Sequence, residues 1–259
     1  MEISFFKYQG TGNDFVIIDN REGKINLNTQ QVKLLCDRRF GVGGDGLMLL
    51  NTQSNYDFKM VYFNADGNEG SMCGNGGRCL TQFAFDRGII KDVYLFIAVD
   101  GEHEATMSDG WVNLKMKDVT NIKDRRGSYV LNTGSPHYVE TTQDVMEMNV
   151  AEEGREIRNS KEFIKEGINV NFVEVVNEQE IIVRTYERGV EDETLSCGTG
   201  VTAAAIATSP ETLGFNRVQI TTLGGKLAVE YDKIDQQTFN NIWLCGPATF
   251  VFKGEIKID

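Results

Sequence analysis

MCGNGG (72–77) and SCGTGV (196–201) carry one pattern, Cys-Gly-X-Gly, at positions 124 residues apart. Two further landmarks accompany it in the same order. TGNDFV (11–16) and TGSPHYV (133–139) start 122 residues apart, and the strand-like ends MVYFN (60–64) and VRTYE (183–187) close 123 apart. Each half of the chain therefore reads as a Thr-Gly loop, a strand, and a Cys-Gly-X-Gly that opens a helix. Self-similarity at a fixed offset is the signature of a duplicated unit. We read an N-terminal half over 1–120 and a C-terminal half over 121–246, joined near DVTNIKDRRG (118–127). The last strand, within 247–259, is expected to return to the first half.

Runs rich in β-branched and aromatic residues dominate between these landmarks. They are ISFFKY (3–8), FVIID (15–19), DFKMVYF (57–63), VYLFIAV (93–99), WVNLKM (111–116), VNFVEVV (170–176), IIVRTYE (181–187), VQITT (218–222), KLAVEY (226–231), NIWLC (241–245) and ATFVF (248–252). Asp100-Gly101, Asp109-Gly110 and Gly224-Gly225 supply tight turns. Helices are few. One is expected from Asn28 or Thr29 to Phe40 with Gly41 as its stop, and a second from Gly74 to Arg87. A third, GTGVTAAAIAT (198–208), is apolar nearly all round, as a helix enclosed by protein must be. These features predict a mixed α/β (α+β) fold of antiparallel or mixed sheet.

The 259 residues carry 26 Lys and Arg against 38 Asp and Glu, a net charge of −12, which disfavours nucleic acid and anionic membranes. No stretch approaches the roughly 18 apolar residues of a membrane span. The first residues lack a secretory pattern. Five Cys, an odd number, suit thiols in a reducing cytoplasm better than a disulfide framework. No C-x-x-C or His pair stands at ligand spacing, so no metal is expected. GVGGDG (41–46) matches a dinucleotide fingerprint literally, but it follows a helix and precedes a strand, the reverse of the required context.

The Cys-Gly-X-Gly units carry the chemistry. A Cys at a helix N-terminus has its thiolate favoured by the helix dipole, which lowers its pKa from about 8.5. The neighbouring backbone N–H groups can hold a carboxylate. Two such units flanking one substrate carbon would let a thiolate remove a proton on one face while a thiol delivers one on the other. That inverts a stereocentre by general acid–base catalysis, with the N–H groups stabilising the developing charge. Cys36, Cys79 and Cys245 lie in apolar patterns and read as small buried hydrophobes.

GTGNDFVIID (10–19), CDRRFGVGGDG (36–46), FNADGNEGSMCGNGGRC (63–79), GSPHYV (134–139), INVNFVEV (168–175) and YERGVEDETLSCGTG (186–200) resemble the diaminopimelate epimerase family, over nearly the whole chain. The resemblance implies two pseudo-symmetric domains, each a barrel-like sheet around a central helix. It implies a cytoplasmic, cofactor-independent homodimer that interconverts LL- and meso-diaminopimelate for lysine and peptidoglycan-precursor synthesis. It places the catalytic pair on Cys73 and Cys197 and the helper pair on His137 and Glu187. Substrate contacts fall on Asn13, Asn64, Gly74, Asn75, Asn169, Glu187, Arg188, Gly198 and Thr199. Arg188 suits a bidentate carboxylate clamp, and the asparagines can each donate and accept. Two positions depart from the family pattern. Gly46 stands where many members carry Gln, and Ser135 where they carry Asn; Gly46 is expected to offer only backbone or room for water. A racemase for another amino acid shares the fold, and so do an isomerase of the phenazine-pathway type, expected to lack the Cys pair, and a non-catalytic amino-acid-binding protein.

Overall fold

The structure, a computed structural model, describes every residue except Ser71 and Asp259. The chain divides into two compact units, Met1–Leu114 with Gly246–Asp259, and Lys115–Cys245.

The first unit contains β1 (Glu2–Gly10), β2 (Asn13–Asp19), α1 (Thr29–Cys36), β3 (Gly46–Asn51), β4 (Phe58–Asn64), α2 (Gly74–Asp86), β5 (Val93–Ala98), β6 (Gly101–Ser108), β7 (Trp111–Lys115) and the C-terminal strand Thr249–Lys257. That last strand lies antiparallel to β1, from Glu2 opposite Lys257 to Gln9 opposite Thr249. The sheet continues antiparallel to β2, parallel to β3, antiparallel to β4, parallel to β5, then antiparallel through β6 and β7. A parallel pair needs a crossover. Here α1 joins β2 to β3 and α2 joins β4 to β5. The sheet wraps α2, which lies against β1, β2, β3, β4 and the C-terminal strand.

The second unit repeats this plan. It contains β8 (Lys123–Asp124), β9 (Ser128–Asn132), β10 (Pro136–Thr141), α3 (Val150–Arg158), β11 (Asn169–Asn177), β12 (Glu180–Glu187), β13 (Asp192–Thr194), α4 (Gly198–Ala207), β14 (Gly214–Thr222), β15 (Gly225–Lys233) and β16 (Phe239–Gly246). From β9 the order is antiparallel to β10, parallel to β11, antiparallel to β12, parallel to β14, antiparallel to β15 and antiparallel to β16. The helix α3 bridges the first parallel pair and α4 the second. The residues Val201 to Ile206 of α4 are all buried, as its apolar composition predicts. It lies against β9, β10, β11, β12, β14 and β15. The fold is thus a sheet-dominated α/β fold, built twice. Among the described residues no helix is long and apolar enough to cross a membrane.

Two expectations change. The first helix ends at Cys36, not Phe40, because the Asp37 carboxylate accepts the N–H groups of Arg39 and Phe40 at 2.7 Å each. A short acceptor of this kind competes with the helix carbonyls and turns the chain. The helix α3 was not foreseen. Its central Gly154 weakens the local helix signal. The glycine is required by packing, since a Cβ there would lie 2.3 Å from the Cβ of Tyr186.

Candidate active site

In the first unit Cys73 is the N-cap of α2, with extended backbone (φ −98°, ψ 131°) and no capping bond from its own side chain. Its sulfur is set at the positive end of the helix. The Cys73 thiol donates to Asn13 Oδ1 at 3.5 Å, and Asn75 Nδ2 donates to the same oxygen at 3.3 Å. Both amide orientations are forced by their neighbours. Asn13 Nδ2 donates to the Asp45 carboxylate at 2.7 Å, a group that accepts only. Asn75 Oδ1 accepts from the fully buried Arg78 guanidinium at 3.0 Å, a group that donates only. Arg78 also donates to Thr11 Oγ1 at 3.4 Å, which ties the Thr-Gly loop to the helix start.

Asp45 is itself placed by Arg38, whose Nη2 reaches it at 2.7 Å and Asp14 at 2.6 Å. The buried Lys7 completes this group, 2.6 Å from Asp14. Asn64 lies exposed at the end of β4, where its N–H and C=O close the turn with Asn68 and Gly67. Gly74 opens α2, and its carbonyl accepts from Arg78 at 3.5 Å. At Gly46 the space is not open. A Cβ built there would lie 2.5 Å from Tyr62 Cε2 and 2.9 Å from Tyr62 Oη, so the Tyr62 ring occupies that room.

In the second unit Cys197 is the N-cap of α4, again with extended backbone (φ −110°, ψ 113°) and no capping bond from its own side chain. Thr199 Oγ1 lies 3.6 Å from its sulfur and 2.9 Å from His137 Nε2. Thr133 of the Thr-Gly loop donates to the Thr199 carbonyl at 2.8 Å, the counterpart of the Thr11 contact. His137 Nδ1 lies 3.1 Å from Asn171 Nδ2. His137 is fully buried, and its removal from water pushes its pKa down to about 3, with the positive charge of Arg188 adding to the effect. The imidazole is therefore neutral at working pH.

Of the remaining candidates, Asn169 and Arg188 form a second cluster with Ser135. Asn169 Nδ2 donates to Ser135 Oγ at 2.9 Å and to the Pro136 carbonyl at 3.2 Å, while its Oδ1 accepts the Arg188 N–H at 2.8 Å. Ser135 thus meets Asn169. The Arg188 guanidinium donates to the Glu166 carbonyl at 3.0 Å, and Glu187 accepts from Thr194 Oγ1 at 3.0 Å. Gly198 opens α4, and its carbonyl accepts from Thr202 at 2.9 Å.

Sequence reasoning missed Asp45, Arg38, Arg78 and Asn171. Arg78 lay inside the quoted CGNGGRC, and Asp45 and Arg38 inside CDRRFGVGGDG, so the signal was present without a role attached. The other three cysteines are buried. Burial pushes the Cys36 thiol up to about 11 and the Cys79 thiol up to about 12.

The family model for diaminopimelate epimerase matches residues 5–125 and 129–251. A diaminopimelate epimerase of Flavobacterium psychrophilum is 48% identical over 257 residues, 98% of this chain and 100% of the relative. One from Chlorobaculum tepidum is 41% identical over 96% of this chain and 99% of the relative. Among solved structures, a phenazine biosynthesis protein of the PhzF family from Bacillus anthracis superposes with a TM-score of 0.77 over 100% of both chains at 17% identity. A probable proline racemase from Agrobacterium radiobacter, with bound carbonate, gives 0.68 over 99% of this chain and 93% of its own at 15% identity. At such identities these two structures establish the fold alone. The sequence relatives go further: the protein is an isomerase of the epimerase class. The chain belongs to the diaminopimelate epimerase family.

Proposed function

We propose that the enzyme interconverts LL- and meso-diaminopimelate without a cofactor, with Cys73 and Cys197 as its acid and base. The observation that carries this reading is the duplicated Cys N-cap: each unit sets one cysteine at the start of its enclosed helix. A small buried hydrophobe needs neither a helix terminus nor a glycine after it. A thiolate gains from both, through the dipole and the open N–H groups. One thiolate removes the Cα proton and the opposite thiol delivers another. The helix N-termini at Gly74-Asn75 and Gly198-Thr199 hold the α-carboxylate and offset the charge that develops on it.

His137 and Glu187 act on the thiols rather than on the substrate. Asn13, Asn64, Asn169 and Arg188 orient the amino-acid groups, with the Arg188 guanidinium as the carboxylate clamp. The product serves lysine and peptidoglycan-precursor synthesis in the cytoplasm. The enzyme works as a homodimer. Support for the dimer comes from the C-terminal strand, whose only pairing among those described in its unit is with β1 and whose Phe250, Val251 and Phe252 are each 43–51% exposed. Such an edge invites a second chain.

Incubation of the reduced enzyme with LL-diaminopimelate in D2O tests the chemistry. The expected result is Cα deuterium uptake with conversion to the meso form, and loss of interconversion in both Cys73→Ala and Cys197→Ala. Wild-type enzyme that exchanges no Cα proton would remove the substrate assignment. Full activity in either variant would remove the two-thiol mechanism.

A further inference from the structure

Two hydrogen bonds at the thiols run in opposite directions: Cys73 donates to an amide oxygen, whereas Cys197 faces the Thr199 hydroxyl, and each contact is traced to a group that can only donate or only accept. Around Cys73 the chain of logic starts at Asp45. Its carboxylate draws Asn13 Nδ2, which turns Asn13 Oδ1 toward the Cys73 sulfur at 3.5 Å. An amide oxygen has no proton to give. Asn75 Nδ2 already donates to that oxygen at 3.3 Å, and Cys73 can share it only as a thiol, since a thiolate there would face a lone pair.

Around Cys197 the logic starts at the Tyr138 carbonyl, which can only accept. Asn171 Nδ2 donates to it at 2.9 Å, which fixes the amide, and Thr185 Oγ1 lies 3.0 Å from Asn171 Oδ1 on the other side. The second hydrogen of Nδ2 points to His137 Nδ1 at 3.1 Å, so that nitrogen is the acceptor of the ring. A neutral ring that accepts at Nδ1 carries its proton on Nε2. Nε2 therefore donates to Thr199 Oγ1 at 2.9 Å, and the Thr199 hydroxyl proton is left for the Cys197 sulfur at 3.6 Å. A donor aimed at sulfur favours the thiolate. Gly200 keeps the arrangement possible, since a Cβ there would lie 2.4 Å from Asn171 Oδ1.

We propose that the free enzyme rests with its proton on Cys73 and its negative charge on Cys197, and that Asn13 and Asn171 are the positioning residues that set this asymmetry. The inference rests on the two-thiol reading above and deepens it. In the first turnover Cys197 is the base: its S–H bond forms as Cα–H breaks, and Cα gains the proton that leaves Cys73. The cycle ends with Cys197 protonated and Cys73 as thiolate. One proton exchanged with water on each sulfur restores the resting form.

The test is the pH dependence of iodoacetamide labelling, read for each cysteine by peptide mass spectrometry on the substrate-free enzyme. Midpoints, not rates, are compared, because the two sulfurs differ in exposure. The Cys197 midpoint is expected at least 1 pH unit below that of Cys73. Thr199→Val and Asn171→Leu are expected to raise the Cys197 midpoint by about 1–2 pH units, the size of one hydrogen bond to a charged group. Thr199→Ser is expected to restore it. The Cys73 midpoint serves as the internal control for folding, since only a damaged fold would move both. Coincident midpoints in wild type, a lower one at Cys73, or an unmoved Cys197 in Thr199→Val would each overturn the proposal. Deuterium exchange at Cα separates the two readings. Exchange with coincident midpoints removes only the asymmetry, whereas absent exchange with separated midpoints removes only the substrate.

Discussion

Gly46 is one of the two residues, with Ser135, expected to depart from the family pattern, and the structure gives its glycine a steric reason. A Cβ at this position would meet Tyr62 Cε2 at 2.5 Å and the Phe63 carbonyl at 2.7 Å. Gly46 lies opposite Asn64 in the β3–β4 ladder, so its neighbours are strand backbone and a ring, neither of which yields easily. Gly46→Ala should therefore lower the unfolding free energy by about 1–3 kcal/mol through overpacking. The double variant Gly46→Ala/Tyr62→Ala should show less loss than the two single losses added, because removing the ring relieves only the ring contact. Chemical denaturation of the four proteins checks this; an unaffected Gly46→Ala would mean the strand shifts to make room. Residues at this scale were unevenly legible. Cys73 and Cys197 stood out because their motif is repeated. Asn171 did not, because one inward Asn within VNFVEVV has no spacing partner, and its contacts come from β10 and β12, far along the chain. The directions of the amides at Asn13, Asn75 and Asn171 follow only from neighbours that sequence does not bring together.

The elements were legible where composition alone decides them and obscure where a side chain overrides it. The strand runs were readable from their β-branched and aromatic content, and α4 as an apolar helix. The end of α1 was not, because Asp37 diverts the backbone. The strands β1 and β2 and the segment after α1 are joined by the Lys7, Asp14, Arg38 and Asp45 group. Burial pushes the Asp14 carboxyl up, but hydrogen bonds and charge from Arg38 and Lys7 reverse that and hold it well below its ordinary value of 3.8. A carboxyl depressed in the folded state binds protons more readily when unfolded, so its contribution is present at neutral pH. That contribution is lost as the pH falls below about 4 toward the folded value. Asp14→Asn should cost about 1.5–3 kcal/mol at pH 7, the range for a hydrogen bond to a charged group. It should also flatten the acid limb of the stability curve. Urea midpoints at pH 7 and pH 3 measure both effects. Equal losses at the two pH values would show that the group contributes by packing rather than by charge.

At the scale of the whole molecule the chain builds one plan twice, with the same sequence of antiparallel and parallel pairings in each unit. The C-terminal strand breaks the repetition: the chain leaves the second unit to add an outer strand to the first. That strand covers β1 on one side and is exposed from Thr249 to Lys253, where a typical edge strand would carry charge to deter pairing. Here Phe250, Val251 and Phe252 are exposed instead, with Phe250 against Tyr8 and Phe252 against Phe5 on one face and Val251 on the other. If a second copy covers this edge, charge placed on it should separate the copies without unfolding either. Val251→Lys and Phe250→Glu together are expected to shift the protein from twice the chain mass to one chain mass in light scattering after size exclusion. The far-ultraviolet circular dichroism should remain unchanged, because both side chains already stand at the surface. Wild type running at one chain mass at micromolar concentration would overturn the dimer. A variant that remained dimeric would move the interface elsewhere on the molecule, because two charges on an edge that pairs with another chain would have to be buried or repelled.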